Sequence, residues 1–428
     1  MGWKGWRWGT VLATMLCVQA MGCSSDEPAP EGPPDAEEAP SAPPTPPQAQ
    51  PPVPEEQTPP APQEPSPEPP EDPAPAPACE GLLPEQLGPS RSIVLKANGP
   101  SADCGPGAGD GAGFLALMNS GPFGATAWDM VSGEGVPTGK RVYGGDSTNS
   151  TMPQPQGFHV VTSSPGGATL HAYSSEGGGL NSQGLTDSQG EPYSVAADPQ
   201  GGALAAVWKT SESGISQVLT YQFLDAAAVP LGEPTEVARG PLAANRFVVA
   251  GVDTQGRALL LWSSAGANTW TGQWLSRQGG LLGQPFTFPA PAVSAPFWRL
   301  YPLAGGGLAL QGDAQWVAWF PSGEAEAPQP APAWLASHPG SQLALIRNQQ
   351  ANVLIRMPTM SGAGCQESLL VFASDGTACG ELLFPPDGST CFQRQLGVGL
   401  DGTVIQQVDR SAQATPQCSW RWWPGLLR

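Results

Sequence analysis

The sequence has little histidine and little charge. Three histidines occur in 428 residues, which argues against a histidine-rich metal enzyme, and charged residues make up 13% of the chain. Lys and Arg total 18 against 37 Asp and Glu, a formal net charge of −19 that excludes a basic nucleic-acid-binding protein. The 55 Gly and 51 Pro, with so few charges, exclude a coiled coil and a helical bundle.

Long hydrophobic runs are also lacking, because no segment reaches the ~20 apolar residues that a membrane-spanning helix requires. The N-terminus carries Lys4 and Arg7, and an apolar run over residues 10–22 follows. A short apolar run after basic residues is typical of an export signal. We therefore predict a signal peptide over residues 1–22.

The apolar run ends in Ala20-Met21-Gly22-Cys23, which resembles the lipobox of bacterial lipoproteins. Gly22 and Cys23 match the family pattern, whereas Ala20 and Met21 depart from its usual residues. The resemblance implies cleavage before Cys23 and lipidation at Cys23, and anchoring by more than one acyl chain is stable. Ser24 follows in place of aspartate, which by the same resemblance permits transfer to the outer membrane. The alternative is an ordinary secretory signal with a chance cysteine.

Proline is abundant in the segment that follows. We predict that residues 23–78 form the lipidated N-terminus and a tether. Residues 24–78 hold 22 Pro and 12 Asp or Glu, without Lys, Arg, Leu, Ile or any aromatic residue. Such a segment cannot bury enough apolar surface to fold, so we expect a disordered, polyproline-II-biased tether. Pro43-Pro44-Thr45-Pro46 fits a Pro-x-x-Pro ligand, but the spacer interpretation is preferred. The tether accounts for most of the acidity, because residues 79–428 retain a formal charge of −9.

Residues 79–428 contain a repeat of about 49 residues, made of two hairpins separated by Gly-rich turns. The clearest first hairpins lie at 194–208 and 247–262, and the second hairpin carries an aromatic or large apolar residue before its turn. Four short strands per period predict an all-β array. The aligned large side chains, which we expect to fill the space between neighbouring units, are Met130, Tyr173, Phe223, Trp274, Trp319, Phe372 and Trp422.

Seven copies of this unit resemble the β-propeller superfamily, in which four-stranded blades are arranged radially. The resemblance implies a seven-bladed β-propeller over residues 79–428 and identifies no subfamily. Only three residues follow the turn at Pro424-Gly425, so the last blade lacks a full outer strand. We predict that residues 91–96 supply that strand and so join the two ends of the domain.

Six cysteines remain once Cys17 falls in the signal and Cys23 carries lipid, and an even number in an exported chain suggests three disulfides. Their grouping near the two ends of the domain favours pairing Cys79 with Cys104, Cys365 with Cys379, and Cys391 with Cys418, among fifteen possibilities. Zinc is the alternative, but the paired spacing of a zinc site is lacking. We expect no metal site.

The remaining polar motifs are interpreted as structural. Asp198, Asp253 and Asp401 begin Gly-containing turns with one carboxylate each, whereas a calcium loop needs several. Ser374-Asp375-Gly376-Thr377 resembles the Asp-box turn of sialidase-like propellers, which is also structural. The Gly-rich segment 105–113 lacks the Lys-Ser/Thr of a phosphate-binding loop, so we interpret it as a flexible loop.

The histidines are His159, His171 and His338, and the first two flank one hairpin and could lie near each other. Structural roles are preferred over a metal site or an acid–base pair. The motifs of Ser hydrolases, P-loop proteins and zinc proteases do not occur. No catalytic residue and no cofactor is predicted.

We expect a lipid-anchored, non-catalytic binding or scaffolding module of the bacterial cell envelope, at the outer membrane or the cell surface. Its expected contacts are the membrane, through the lipid, and an envelope protein or a polysaccharide, but not nucleic acid. The alternatives are a propeller enzyme acting on extracellular glycans and a structural surface component. The fold does not decide among them, because propellers serve all three roles.

Overall fold

The structure is a computed structural model, and it describes residues 78–97, 104–119, 126–143, 151–164, 166–187, 191–211, 213–241, 247–263, 267–289, 298–321, 328–348, 350–361, 364–386, 396–408 and 417–427. The predicted signal, Cys23, the tether up to residue 77 and Cys391 lie outside these residues.

Consecutive antiparallel strands form the blades of a ring, a β-propeller, as the repeat predicted. The first strand of the chain is β1 (Arg91–Lys96). Blade 1 has β2 (Ala108–Gly109), β3 (Phe114–Met118), β4 (Ala127–Ser132) and β5 (Pro137–Tyr143). Blade 2 has β6 (Thr151–Gln154), β7 (Gly157–Ser164), β8 (Gly167–Tyr173) and β9 (Gly179–Gly184). Blade 3 has β10 (Tyr193–Ala197), β11 (Ala203–Thr210), β12 (Ser216–Leu224) and β13 (Thr235–Pro241).

The remaining blades repeat the same strand order with two additions. Blade 4 has β14 (Phe247–Val252), β15 (Ala258–Ser263), β16 (Thr269–Leu275) and β17 (Leu281–Pro289), and blade 5 has β18 (Arg299–Pro302), β19 (Leu308–Gly312) and β20 (Gln315–Phe320). Blade 6 has β21 (Gln342–Ala344), β22 (Ala351–Ile355), β25 (Ser368–Ala373) and β26 (Ala378–Leu383), and blade 7 has β27 (Leu396–Val398), β28 (Val404–Val408) and β29 (Gln417–Trp423). The additions are helix α1 (Ala333–Ala336) and a hairpin of β23 (Thr359–Ser361) and β24 (Gly364–Gln366).

In blade 5 the place of the fourth strand is taken by an isolated bridge. Trp319 and Gln329 exchange two backbone hydrogen bonds of 2.8 Å. Four residues after Gln329 the chain enters α1, whose Leu335 is fully buried against this blade and the next. Among the described residues, blade 5 therefore has its outer edge covered by a short segment and a helical turn.

The second strands of the blades are mostly buried, because the sheet is covered on both faces there. In β11 the first six residues are all buried, whereas an amphipathic strand would alternate. Each described core cluster lies between two consecutive blades, so the ring has one apolar layer per blade interface. The repeated large side chains lie on the third strands, and five of the seven are buried. They fill the layers between blades, as predicted.

The ring closes through β1, which pairs antiparallel with β29 and becomes the outer strand of blade 7. The register places Arg91 opposite Trp422 and Lys96 opposite Gln417. Ile93 and Leu95 face inward against the apolar layer between blades 7 and 1. The predicted closure is confirmed.

The predicted disulfide pairings are wrong. Cys79 is bonded to Cys379 and Cys104 to Cys418, with Cα–Cα distances of 5.2 and 5.8 Å. Cys365 is also disulfide-bonded, and not to Cys379. The error has a topological cause, because closure through β1 brings the N-terminal cysteines beside blades 6 and 7, while the prediction paired cysteines that are near in sequence.

Candidate functional site

An axial channel runs between the first strands of the blades and is the candidate ligand site. It encloses about 530 Å³ and is lined by residues of β2, β6, β10, β14, β18, β21 and β27, so every blade contributes. The strand that starts each blade lies innermost, because the later strands are added outward. A concave cavity with mostly apolar walls and a few polar groups is typical of small-ligand sites.

The channel walls combine large apolar side chains with few polar ones. Met118, Trp128, Met152, Leu345 and Trp298 are among the apolar lining residues. The polar lining residues are Thr151, Ser194, Arg299, Tyr301 and Gln342, and Arg299 is the charged one among the described lining.

Arg299 starts β18 and lies two residues before Tyr301, so both side chains are on the same face of the strand. Both are partly buried, and Arg299 Nη1 lies 3.5 Å from the Tyr301 hydroxyl. The Tyr301 ring meets Trp316 edge-on at 5.5 Å, and the Trp316 indole N–H donates to Ser341 Oγ at 3.3 Å. Packing therefore fixes the phenol beside the guanidinium.

The aspartates predicted as turn residues do bind backbone amides. Asp198 accepts from Gln200 N at 2.8 Å, and Asp253 accepts from Gln255 N at 2.9 Å. Asp401 does the same with Thr403 N at 3.0 Å. Their carboxylates hold the turns between the first and second strands, as short polar side chains do in Asx turns.

Asp110 is a fourth such residue, which the sequence analysis missed. It accepts from the amides of Ala112 and Phe114 at 2.9 and 2.8 Å, and Ser175 of the next blade donates to its second oxygen. Burial raises its pKa, while these hydrogen bonds act in the opposite direction. The signal was available, because Asp110-Gly-Ala-Gly113 has the composition of the other turns.

A second tie between blades joins Asp198 to Arg277. Arg277 Nε lies 3.1 Å from Asp198 Oδ2, while its Nη groups donate to Gln200 Oε1 and the Gly201 carbonyl, each at 2.9 Å. The Asp198 carboxylate is almost completely buried. Burial raises the pKa of Asp198, and the Arg277 charge partly offsets that rise. This ion pair connects the turn of blade 3 to a turn of blade 4.

The Gly-rich segment 105–113 is not a flexible loop, which corrects the sequence interpretation. It forms β2 and the first turn of blade 1, and residues 106–108 line the channel. A Cβ on Gly107 would lie 2.3 Å from the Ala116 carbonyl oxygen. The glycines are needed because the first strand lies so close to the second.

His159 and His171 lie on paired strands but on opposite faces. His171 is directly opposite Val160, the neighbour of His159, so the alternation of the strand separates the two rings. His159 Nε2 donates to the Ala226 carbonyl of blade 3 at 2.9 Å, and burial lowers its pKa. His171 lies 2.8 Å from Thr162 Oγ1 and 2.7 Å from Ser182 Oγ.

The other predicted elements are placed as follows. His338 follows α1, where its ring lies 5.9 Å from Phe372 and burial lowers its pKa. Asp375 accepts from Thr377 N at 2.8 Å, and this bond lowers the pKa of its exposed carboxyl. In the part of the chain that the structure describes, three or more His, Cys, Asp or Glu side chains nowhere converge as metal ligands. Nor does this part contain a helix with the length and apolarity to span a membrane.

Sequence reasoning did not single out Arg299 or Arg277. Arg299 is preceded by Trp298 and followed by Leu300 and Tyr301, an unusual setting for a cation in a predicted strand. That setting marks Arg299 as a candidate binding residue. Its position on the axis could not be predicted, because it depends on this strand being the innermost of blade 5.

No protein-family model matches the sequence. No curated protein matches it either. Among solved structures, the chain is similar to prolyl oligopeptidase B from Galerina marginata, with a TM-score of 0.44 and 11% identity over 74% of this chain and 48% of that one. The chain thus spans about half the length of that peptidase.

Two further solved structures are similar over most of both chains. One is the polysaccharide lyase Uly1, with a TM-score of 0.38 and 11% identity over 77% of this chain and 91% of that one. The other is a member of the DUF4221 family from Bacteroides vulgatus, with a TM-score of 0.33 and 10% identity over 78% and 97%. At such scores and identities, nothing about activity follows from these likenesses.

Proposed function

We propose that the chain is a lipid-anchored, non-catalytic binding or scaffolding module of the bacterial cell envelope. Lipid on Cys23 holds it at the membrane, and the Pro-rich segment up to residue 78 spaces the propeller from the lipid. The propeller then engages an envelope protein or a polysaccharide. Disulfides support export, because they persist in oxidising compartments.

The observation that carries the proposal is the disulfide at the junction between tether and propeller. Cys79 directly follows the Pro-rich segment, and its bond to Cys379 attaches the chain covalently to β26 in blade 6. Tension on the tether therefore passes into blade 6. Without that bond, the same tension would act on β1, whose pairing with β29 closes the ring. A module that is held at one end and binds a partner at the other needs this attachment.

The use of the buried ionisable groups also supports a scaffold. Asp110, Asp198 and Asp253 accept hydrogen bonds from the backbone amides of their turns. Each also contacts a polar side chain of the same blade or of the next one. His159 joins blade 2 to blade 3. These three buried aspartates and this histidine therefore stabilise the ring.

Anchoring is tested by fractionating cells that express the chain or its Cys23→Ser variant. We expect metabolic labelling with a fatty acid and membrane retention for the chain, and loss of both for the variant. Labelling of the variant to the same extent would overturn lipidation at Cys23.

Binding is tested by cross-linking a C-terminally tagged full chain in intact cells and purifying it in detergent. The matched control has the same signal and tether without residues 79–428. A stoichiometric envelope protein or glycan that depends on the propeller is expected. Recovery of copies of the chain alone would instead favour the structural surface component, and turnover of an extracellular glycan by the chain would favour the enzyme.

A further inference from the structure

We propose that the axial channel binds an organic carboxylate with an apolar body, whose carboxylate pairs with Arg299. This site goes beyond the proposed function, because it does not depend on the anchor or on the macromolecular partner. The channel volume of about 530 Å³ lies in the range of small-ligand sites.

The charge of Arg299 indicates the sign of the ligand. Among the described residues, its hydrogen-bonding partner is the neutral Tyr301 hydroxyl at 3.5 Å. Six other described arginines instead form ion pairs with carboxylates: Arg91, Arg141, Arg239, Arg257, Arg277 and Arg356. A partly buried cation that has no carboxylate partner among the described residues favours an incoming anion, because charge burial is costly unless the charge is paired.

A single guanidinium indicates a singly charged head group. A carboxylate accepts two parallel N–H bonds from one guanidinium, and this bidentate geometry is among the strongest hydrogen-bonded pairs in proteins. A phosphate dianion would need a second cation, and Arg299 is the charged residue of the described lining. The Tyr301 hydroxyl, held against Trp316, offers a further donor beside the guanidinium.

The channel walls indicate that the part of the ligand beyond its carboxylate is apolar. Met118, Trp128, Met152 and Trp298 offer apolar surface, and burying an apolar group against such a wall contributes about 25 cal/mol per Å². A sugar would need a hydrogen-bond partner for each buried hydroxyl. The Ser194 hydroxyl already accepts from the amide of Ala250 at 3.0 Å, so the polar lining groups are not all available. The walls therefore favour an alkyl or aryl body over a glycan.

The test is calorimetric titration of the full chain with decanoate below its micellar concentration. Decanol is the neutral probe, decyltrimethylammonium the cationic probe and digalacturonate the acidic-sugar probe. We expect saturable binding of decanoate and affinities at least about tenfold weaker for the other three, because each lacks the charge or the apolar body. Equal binding of decanoate and decanol, or tighter binding of digalacturonate, would overturn the proposal.

The variant Arg299→Met keeps the length of the side chain and removes its charge. We expect it to weaken decanoate binding by about tenfold or more and to leave decanol binding unchanged. Arg347→Met is the matched control, because Arg347 is exposed and lines a separate cavity beside blades 6 and 7. Arg299→Lys, which retains the charge, should recover part of the affinity.

Thermal unfolding of each variant shows whether the ring is intact. Unchanged decanoate affinity in a folded Arg299→Met variant overturns the role of Arg299, and no saturable decanoate binding by the unmodified chain overturns the site. Neither result affects the proposed envelope function, which is decided by capture of a macromolecular partner.

Discussion

At the scale of the residue, glycines set how closely the strands of a blade approach each other. Gly202 immediately precedes β11, the second strand of blade 3, and has φ +108°, a conformation that other residues rarely adopt. A Cβ at this position would lie 2.1 Å from the Leu224 carbonyl oxygen. Since that oxygen belongs to the backbone of the adjacent strand, it cannot move without displacing the sheet.

We expect Gly202→Ala to lower the free energy of unfolding by about 3 kcal/mol, because steric overlap adds to the cost of the left-handed conformation. Gly279→Ala is the control, since Gly279 has φ +89° with nothing within 4 Å of its Cβ position. It should cost about 1–2 kcal/mol. Urea denaturation measures both, and equal costs would contradict the role of close approach.

At the scale of the element, the turns of adjacent blades are joined by polar contacts and the outer strand of blade 7 comes from the N-terminus. Arg277 crosses from blade 4 to the buried Asp198 of blade 3. β1 crosses from the start of the domain to its last blade. Each contact connects residues that are distant in the sequence. Each therefore holds the ring together rather than stabilising a single blade.

We expect Arg277→Met to lower the free energy of unfolding by about 2–4 kcal/mol at neutral pH, because it leaves Asp198 buried without its cation. Burial raises the pKa of Asp198 above its ordinary value of 3.8, so the folded protein binds this proton more tightly than the unfolded chain does. The stability that this gives is lost as the pH rises through the folded pKa. Loss of Arg277 enlarges this effect. The cost of the variant should therefore be smaller at acidic pH than at neutral pH.

The control for this variant is Arg239→Met, which removes an exposed ion pair with Glu236. Exposed ion pairs contribute little to stability, so a small cost with little pH dependence is expected. Chemical denaturation at several pH values measures both variants. A cost of Arg277→Met that rises as the pH falls would show that the Asp198 carboxylate is not the partner that matters.

The closing strand is tested by placing a charge on each of its two faces. Leu95 faces the apolar layer between blades 7 and 1, whereas Val94 is 56% exposed. Leu95→Asp should lower the free energy of unfolding by about 2–4 kcal/mol. Val94→Asp should change it by no more than about 0.5 kcal/mol. Limited proteolysis should cut the chain at β1 only in the first variant, and equal sensitivity of both would contradict the observed register.

At the scale of the whole molecule, two disulfides span sequence separations of 300 and 314 residues and join the ends of the ring. Cys104 and Cys418 are buried in the layer between blades 7 and 1. Cys79 and Cys379 are partly exposed, at the junction with the tether. One bond therefore supports closure from within the core, and the other attaches the N-terminal end of the domain to blade 6.

We expect removal of either disulfide by a double Cys→Ala substitution to cost about 2–5 kcal/mol. The Cys104/Cys418 variant should lie at the upper end, because it also creates a cavity in the core. The Cys79/Cys379 variant should unfold at lower force when pulled through the N-terminal segment, while its chemical denaturation changes less. Equal losses of mechanical resistance in both variants would contradict the division of roles.

The repeat of about 49 residues determined the fold, because each unit carries its own strand pattern, turns and large packing residue. Local patterns of this kind can be recognised in the sequence, and so can the lack of an outer strand in the last blade. Asp198, Asp253 and Asp401 were correctly predicted as turn residues for the same reason, since they bind amides two residues away.

Only the tertiary structure decided which distant residues meet. Closure through β1 paired Cys79 with Cys379 and Cys104 with Cys418 rather than with their neighbours in sequence. Strand alternation placed His159 and His171 on opposite faces of one blade. The position of Arg299 on the axis follows from the strand order of the ring. The sequence encodes each blade locally, whereas pairings across the ring depend on how many blades close it and where its ends join.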